Sequence, residues 1–324
     1  MTSVLIAGHG GSGTNWLLDL LDQSPVTFCA NERNRVPNSV LSELRDPEID
    51  FNQYAGLEGS WDQLARETKH RFGVRDPVSG EKHYLRNGLR GALLHLIRTR
   101  TRLRSLFSVF DGRLAGMEWR IPPGFLREDS LDEAILVLKM IRCPALACWL
   151  LSSVPQEVSV VHILRHPGGA LNSWKSKLLE NRLEPVVRAN NRNRLACILE
   201  LDPDLTPSTR DKIRAFLASE DDDIPRSELL YWLYSNEKIY ACGSAQPNYL
   251  CVNYDALAAA PVPTASRIYA FAGLPFDELV ERKILRKSAA SAEIAARWRT
   301  VMPAEQQAMV AGVLEGSLFE KMWN

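Results

Sequence analysis

Val4–Leu18 reads VLIAGHGGSGTNWLL, and this stretch decides the fold. Its first four residues, Val4–Ala7, form an uninterrupted apolar run of the kind that makes a strand buried on both faces. Gly8–Gly13 is a glycine-rich turn, and from Trp16 the apolar spacing becomes that of an amphipathic helix. A strand–loop–helix of this kind leaves backbone N–H groups without partners at the positive end of a helix dipole. That geometry holds an anion, usually a phosphate. No Lys follows Gly13, so the loop is not the nucleoside-triphosphate P-loop. The dinucleotide fingerprint, G-x-G-x-x-G with an acid closing the next strand, is also set aside. Ser12 and Thr14 add hydroxyl donors to the loop amides.

Working outward, three more segments read as strands: Ile135–Met140, Val158–Leu164 and Tyr249–Asn253. Helical patterns fall at Trp16–Asp22, Leu89–Phe107, Pro144–Ser152, Ala170–Leu179, Ser227–Cys242, Val262–Ala272 and Pro303–Leu314. This alternation predicts an α/β fold, a P-loop-like central parallel sheet flanked by helices, with ligands at the carboxyl ends of the strands. Residues 1–324 are expected to form one domain, with helical lid insertions at about 45–130 and 180–225. An apolar fraction of 45% is ample for a large core. The charge balance, 39 basic against 39 acidic residues, gives no global attraction to nucleic acid or an anionic membrane, so any anion site is local. The six cysteines show no CxxC pair and no zinc spacing. With no secretory signal and no membrane-spanning apolar run, they read as reduced cysteines of a cytoplasmic protein. No metal site is indicated, and oligomeric state leaves no signal.

The second motif is Val161–Trp174, VHILRHPGGALNSW. Its strand ends at Arg165, a Pro–Gly–Gly turn follows, and a helix is expected from near Ala170, with Ser173 in its first turn. A guanidinium fork and a hydroxyl placed this way can share one phosphate.

Together the two motifs resemble the sulfotransferase family that uses 3′-phosphoadenosine 5′-phosphosulfate (PAPS) and releases the 3′,5′-bisphosphate (PAP). The resemblance implies that Gly10, Gly11, Ser12, Gly13, Thr14, Asn15 and Trp16 match the loop that holds the 5′-phosphosulfate, and that Arg165 and Ser173 hold the 3′-phosphate. Leu250–Pro275, LCVNYDALAAAPVPTASRIYAFAGLP, resembles a further family segment. Trp232 and Asn236 lie upstream of it at the family's helical spacing, and Arg297–Trp298 has a C-terminal counterpart. Trp16 matches the residue that stacks on the adenine, and reads equally well as a core residue. Ser288 and Arg297 match a late segment that touches the cofactor. The likeness is greatest to the branch of tyrosylprotein and bacterial carbohydrate sulfotransferases. There an acid follows D-x-x-P, here Asp22–Pro25, so Glu32 takes the place of the base that deprotonates an acceptor hydroxyl. Lys139 matches a strand-end lysine that steadies the leaving phosphate, with Arg142 as the competing choice.

One position departs from the pattern. The family loop has Lys or Arg immediately before Ser-Gly-Thr, and here that residue is Gly11. Lys139, Arg142 or His9 are the available replacements, and His9 is the weakest because a free imidazole is neutral for much of the time near pH 7. Two other readings therefore stay open, a small-acceptor kinase-like phosphotransferase and a non-catalytic protein that binds PAPS or PAP. The acceptor, whether small molecule, carbohydrate or peptide, is not legible. The arginine-rich stretch Arg86–Arg104 reads either as a solvated helical face or as the wall of a groove for an anionic acceptor.

Overall fold

The computed structural model describes residues 3–32, 61–73, 76–77, 81–89, 92–93, 118–181, 184–219 and 223–323. In chain order, β1 (Ser3–Gly8) leads through the loop into α1 (Thr14–Leu21) and β2 (Thr27–Asn31). Next come α2 (Trp61–Lys69) and an antiparallel ribbon of β3 (Arg71–Gly73) and β4 (Glu118–Arg120). Then follow α3 (Glu128–Glu133), β5 (Ile135–Ile141), α4 (Pro144–Ser153), β6 (Val158–Leu164), α5 (Pro167–Asn181), α6 (Glu184–Leu201), α7 (Pro207–Ala218), α8 (Ile224–Gly243) and β7 (Tyr249–Asn253). The chain closes with α9 (Tyr254–Ala259), α10 (Pro261–Phe271), α11 (Glu278–Lys287), α12 (Ser291–Ala296), α13 (Trp298–Val301), α14 (Ala304–Leu314) and α15 (Glu320–Trp323).

The main sheet is parallel throughout, in the order β2-β5-β1-β6-β7. Strand alternation divides its side chains between two cores. Leu5, Ala7, Leu136, Leu138 and Val160 pack with Leu146 and Leu150 of α4 on one face. Val4, Ile6, Val137, Val161 and Ile163 pack with Leu17 and Leu21 of α1 and Ile268 of α10 on the other. Burial on both faces is why β1, β5 and β6 read as near-continuous apolar runs rather than alternating ones. From central β1 the chain runs first to β2 on one side, and later from β5 to β6 on the other, so the switch in direction lies at the carboxyl end of β1.

The four strands expected from sequence are present, as are six of the seven helices, with shifted ends. The Leu89–Phe107 helix and most of the arginine-rich stretch lie outside the described residues. β2 was not anticipated. TFCAN is short and mixes the strand formers Thr27 and Phe28 with Ala30 and Asn31, and the segment becomes a strand by pairing residue for residue with β5, from Thr27–Ile135 to Asn31–Lys139. α5 starts at Pro167, not near Ala170, because Pro suits the first helical turn, so Ser173 lies in the second turn. Of the polar 180–225 stretch, α6 and α7 bring Leu195, Ile198, Ile213 and Phe216 onto Leu229, Leu230 and Leu233 of α8. Asp223 caps α8, its carboxylate accepting from the Arg226 amide, as an acid ahead of a helix should.

The cysteine expectation is corrected. Cys148 of α4 and Cys242 of α8 form a disulfide, with Cα atoms 5.4 Å apart. Their separation of 94 residues hides the pair in the sequence, and only the packing of α4 against α8 reveals it. With two cysteines joined, cysteine usage no longer supports a cytoplasmic location. Among the described residues, no helix is long and apolar enough to cross a membrane.

Two buried polar groups fix the sheet's surroundings. Lys82 donates to the backbone carbonyls of Asp22 and Ser24 and ion-pairs with the Asp22 carboxylate at 2.9 Å, both side chains being buried. His162 of β6 lies between Tyr249 Oη and Asn236 Oδ1, at 2.8 and 2.9 Å.

Breaking the disulfide, by reductant or in Cys148→Ser, should lower stability by about 2–4 kcal/mol. Denaturant midpoints with and without reductant measure this, and the double serine variant should ignore reductant. Acid should also destabilise the fold. Burial lowers His162 to about 4, and burial with the nearby Arg299 and Arg165 charges lowers His166 to about 4. Between about pH 6.5 and 4 the unfolded chain therefore binds protons that the folded chain refuses. Stability is complete above that window and falls through it, by up to roughly 3 kcal/mol per histidine. Midpoints across the window should show the slope, and His162→Gln should flatten it by about half.

Candidate active site

The loop between β1 and α1 is shaped by two glycines of positive φ, Gly11 at 85° and Gly13 at 89°. Steric contact demands glycine at both. A Cβ on Gly11 would lie 2.6 Å from the carbonyl oxygen of Ala170 on α5, and one on Gly13 would lie 2.4 Å from the Tyr254 ring. The Ser12 amide turns back to the His9 carbonyl. The amides of Gly10, Gly11, Gly13, Thr14, Asn15 and Trp16 meet no acceptor among the described residues. The Ser12 hydroxyl is buried and also lacks a partner. These donors suit an anion. Thr14 is buried, whereas Asn15 is exposed.

The second motif meets the loop at Gly11. Arg165 Nη1 donates to the Gly11 carbonyl at 2.9 Å and Nη2 to the Ile294 carbonyl of α12 at 3.2 Å. Its guanidinium lies 4.3 Å from the centre of the Tyr254 ring, which Trp16 meets edge-on at 5.4 Å. The fork that the sequence reading reserves for a phosphate is thus partly engaged by the chain. Arg165 is 5% exposed, and its buried Nε has no partner. Burial lowers its pKa, with Tyr254 and Asp255 acting against that shift. Ser173 Cβ lies 3.4 Å from where a Gly11 Cβ would stand, so Arg165 and Ser173 converge on the same loop residue. Ser288, at the end of α11, keeps a buried hydroxyl without a partner. Arg297 is exposed, and its side chain has no partner among the described residues.

Glu32 and Lys139 come together. Asn31 pairs with Lys139 across β2 and β5, and the Glu32 amide donates to the Lys139 carbonyl at 2.8 Å. The Lys139 ammonium then donates to Glu32 Oε1 in an ion pair. Lys139 is buried, with 3% of its side chain exposed, while Glu32 keeps 23% open to solvent. Glu32 has φ of 49°, which costs a non-glycine residue of order 1–3 kcal/mol and is found mainly where the surroundings over-determine the backbone.

The sequence reading missed Glu228. This buried carboxylate on α8 accepts from Arg142 Nη2 at 3.0 and 3.3 Å and from Asn191 Nδ2 at 3.1 Å. His9 Nε2 lies 3.2 Å from its Oε1. Burial pushes Glu228 up, but the Arg142 guanidinium, then His9, hold it well below the usual carboxylate range. Nothing near Glu228 in the chain signals this role, because its partners come from the loop, the end of β5 and α6. Arg142, the competing choice to Lys139, is committed to Glu228.

The topology also corrects one exclusion. Gly8–Gly13 does have G-x-G-x-x-G spacing, and Glu32 does follow the next strand. In a dinucleotide fold that strand lies beside β1, so the acid reaches the ribose. Here β5 lies between them, and Glu32 meets Lys139 of that intervening strand.

No family model matches the chain, and no curated protein matches it. Solved structures to which it is similar include three sulfotransferases. The sulfotransferase domain of the Synechococcus PCC 7002 olefin synthase is 14% identical, with a TM-score of 0.44 over 97% of this chain and 94% of that one. The sulfotransferase domain from the curacin biosynthetic pathway is also 14% identical, with a TM-score of 0.42 over 96% of each chain. A sulfotransferase of Mycobacterium avium is 13% identical, with a TM-score of 0.43 over 97% of this chain and 76% of that one.

Gly11→Ala should cost roughly 1–3 kcal/mol of stability, because the residue combines positive φ with a backbone neighbour that cannot turn aside. Thermal or denaturant unfolding measures it. Asn15→Ala, at an exposed position of the same loop, should be near neutral.

Proposed function

We propose that the chain is a PAPS-dependent sulfotransferase acting on an acceptor hydroxyl, and that residues 1–324 serve as one catalytic domain. The observation that carries this reading is the meeting of four features at the carboxyl ends of adjacent parallel strands. These are an amide-lined loop, a strand-end arginine bound to it, a carboxylate with one solvent-facing side, and a buried lysine paired with that carboxylate.

The donor fits the residues present. Gly10–Trp16, with the Ser12 hydroxyl, would hold the 5′-phosphosulfate, Arg165 and Ser173 the 3′-phosphate, and Ser288 and Arg297 would touch the donor from a later segment. Bound there, PAPS supplies a sulfuryl group already attached to a phosphate leaving group. The chain's own part is positioning and proton transfer. The exposed side of Glu32 accepts the proton of an acceptor hydroxyl, which raises the oxygen's nucleophilicity. Lys139 fixes the Glu32 carboxylate in the ionised form that a base requires, and places a buried positive charge beside the strand ends. The acceptor class is left as carbohydrate, peptide or small metabolite.

Calorimetric titration with PAP should show binding, with ATP and NAD binding far more weakly. Labelled sulfate should pass from PAPS to one of a panel of sugars, phenols and peptides. Glu32→Gln should lower kcat by about 10²–10⁴-fold while leaving PAP binding nearly unchanged. Preference for ATP would turn the assignment to a phosphotransferase. PAP binding with no turnover, indifferent to Glu32→Gln, would leave a binding protein.

A further inference from the structure

A cavity of about 250 Å³ lies between the α6–α7 turn and the C-terminal half of α8. Asp204 and Thr206 line one side, and Glu237, Lys238, Ala241 and Cys242 the other. Asp204 and Ala241 are exposed, so the cavity opens to solvent. Cys242 is one half of the disulfide to Cys148, and the two cysteines are unequally placed. Cys242 is half-buried and lines the cavity, whereas Cys148 is 4% exposed and does not. Thiol–disulfide exchange goes to the sulfur that a thiolate can reach. The cavity therefore directs attack to Cys242 and makes Cys148 the leaving group. Cys148 Sγ lies 3.5 Å from the Lys238 carbonyl oxygen, so the thiol released there has an acceptor in place. A thiol buried this deeply keeps its proton, and only a thiolate attacks, so the original bond re-forms slowly.

The walls also select the thiol by charge. Lys238 Nζ lies 2.8 Å from Asp202 Oδ1 and 3.6 Å from Asp204 Oδ2, so two carboxylates share one ammonium. Glu237 is buried and accepts from Thr206 Oγ1 at 3.0 Å, Thr209 Oγ1 at 2.6 Å and the Leu318 amide at 3.0 Å, all uncharged donors. The Lys212 ammonium donates instead to Ser208 Oγ and the Glu315 carbonyl. Negative charge therefore exceeds positive around the cavity. A thiol that carries a carboxylate is repelled there, and one that carries an ammonium is drawn in.

We propose that Cys242 is a modification site, at which a small aminothiol entering this cavity exchanges with the Cys148–Cys242 disulfide. The aminothiol gives its proton to solvent, and its thiolate forms a new S–S bond to Cys242 Sγ. The Cys148–Cys242 bond breaks, its electron pair leaves on Cys148 Sγ, and that sulfur takes a proton from solvent. One disulfide is exchanged for another, with no net oxidation. The product carries the aminothiol on Cys242, in the cavity, and a buried thiol at Cys148. The tie between α4 and α8 is thereby opened without unfolding the chain.

The test uses the full chain under native conditions, treated with cysteamine or glutathione, quenched in acid at early times and mapped by mass spectrometry. The adduct should sit on Cys242, with the free thiol on Cys148. Both thiols are also timed on an uncharged model disulfide, bis(2-hydroxyethyl) disulfide, which removes their difference in intrinsic reactivity. The rate ratio of cysteamine to glutathione should be about fivefold larger on the protein than on the model, and added salt should shrink that margin. Ala241→Trp, which fills the mouth of the cavity, should slow exchange by about tenfold while the disulfide stays intact. An adduct on Cys148 overturns the proposal, as does a rate ratio equal to the model's. Exchange no faster than global unfolding, or at the native rate in Ala241→Trp, also overturns it, because the cavity would then not be the route. The mapping and the rate ratio are read on the native chain, so the proposal is decided whether or not the variant folds.

Discussion

The Gly11 backbone lies against the carbonyl of Ala170, with no room for a side chain between them. This close approach lets the loop after β1 rest on the first turns of α5, and the site depends on it. It brings Ser173 beside the loop and puts the Gly11 carbonyl within reach of Arg165. Arg165 in turn lies on Tyr254, and Tyr254 closes against Gly13 and Trp16. One backbone contact therefore links β1, α1, β6, α5 and the start of α9. The same contact leaves no room for a lysine or arginine side chain at position 11.

Charge around the sheet is arranged in compensated pairs. Lys139 faces Glu32, Arg142 faces Glu228, and Lys82 faces Asp22. Removing one partner of such a pair leaves an uncompensated buried charge, which is why pairs of this kind persist where function needs them even when they add little net stability. Glu32 differs from the other carboxylates in keeping a face toward solvent.

Much of the site was legible along the chain because its parts lie next to strand ends, and strand ends carry strong punctuation. The glycine loop, Arg165 before Pro167, Lys139 closing an apolar run and Glu32 beyond D-x-x-P all belong to that class. β2 escaped because its five residues mix strand formers with Ala30 and Asn31 and give no clear pattern. Glu228 escaped because a buried carboxylate in a helix looks like any polar residue at helical spacing until its partners are known. The disulfide escaped for the same reason: Cys148 and Cys242 are neighbours only across a helix–helix contact.

By itself the sequence determined that a buried strand runs into a glycine loop and a helix, that parallel strands follow, and that an anion fits where the loop amides are left over. Those conclusions rest on local physics, namely apolar periodicity, glycine's freedom at positive φ and the unpaired donors of a helix start. Only the tertiary structure decided how the parts are arranged around the loop. The loop spacing and Glu32 satisfy a dinucleotide pattern as readily as any other, and the order of strands is not written in either motif. Insertion of β5 between β1 and β2 takes Glu32 away from the loop's own helix and sets it against Lys139. Strand order is fixed by which apolar faces pack best over the whole sheet, a property of all five strands at once and of no single segment.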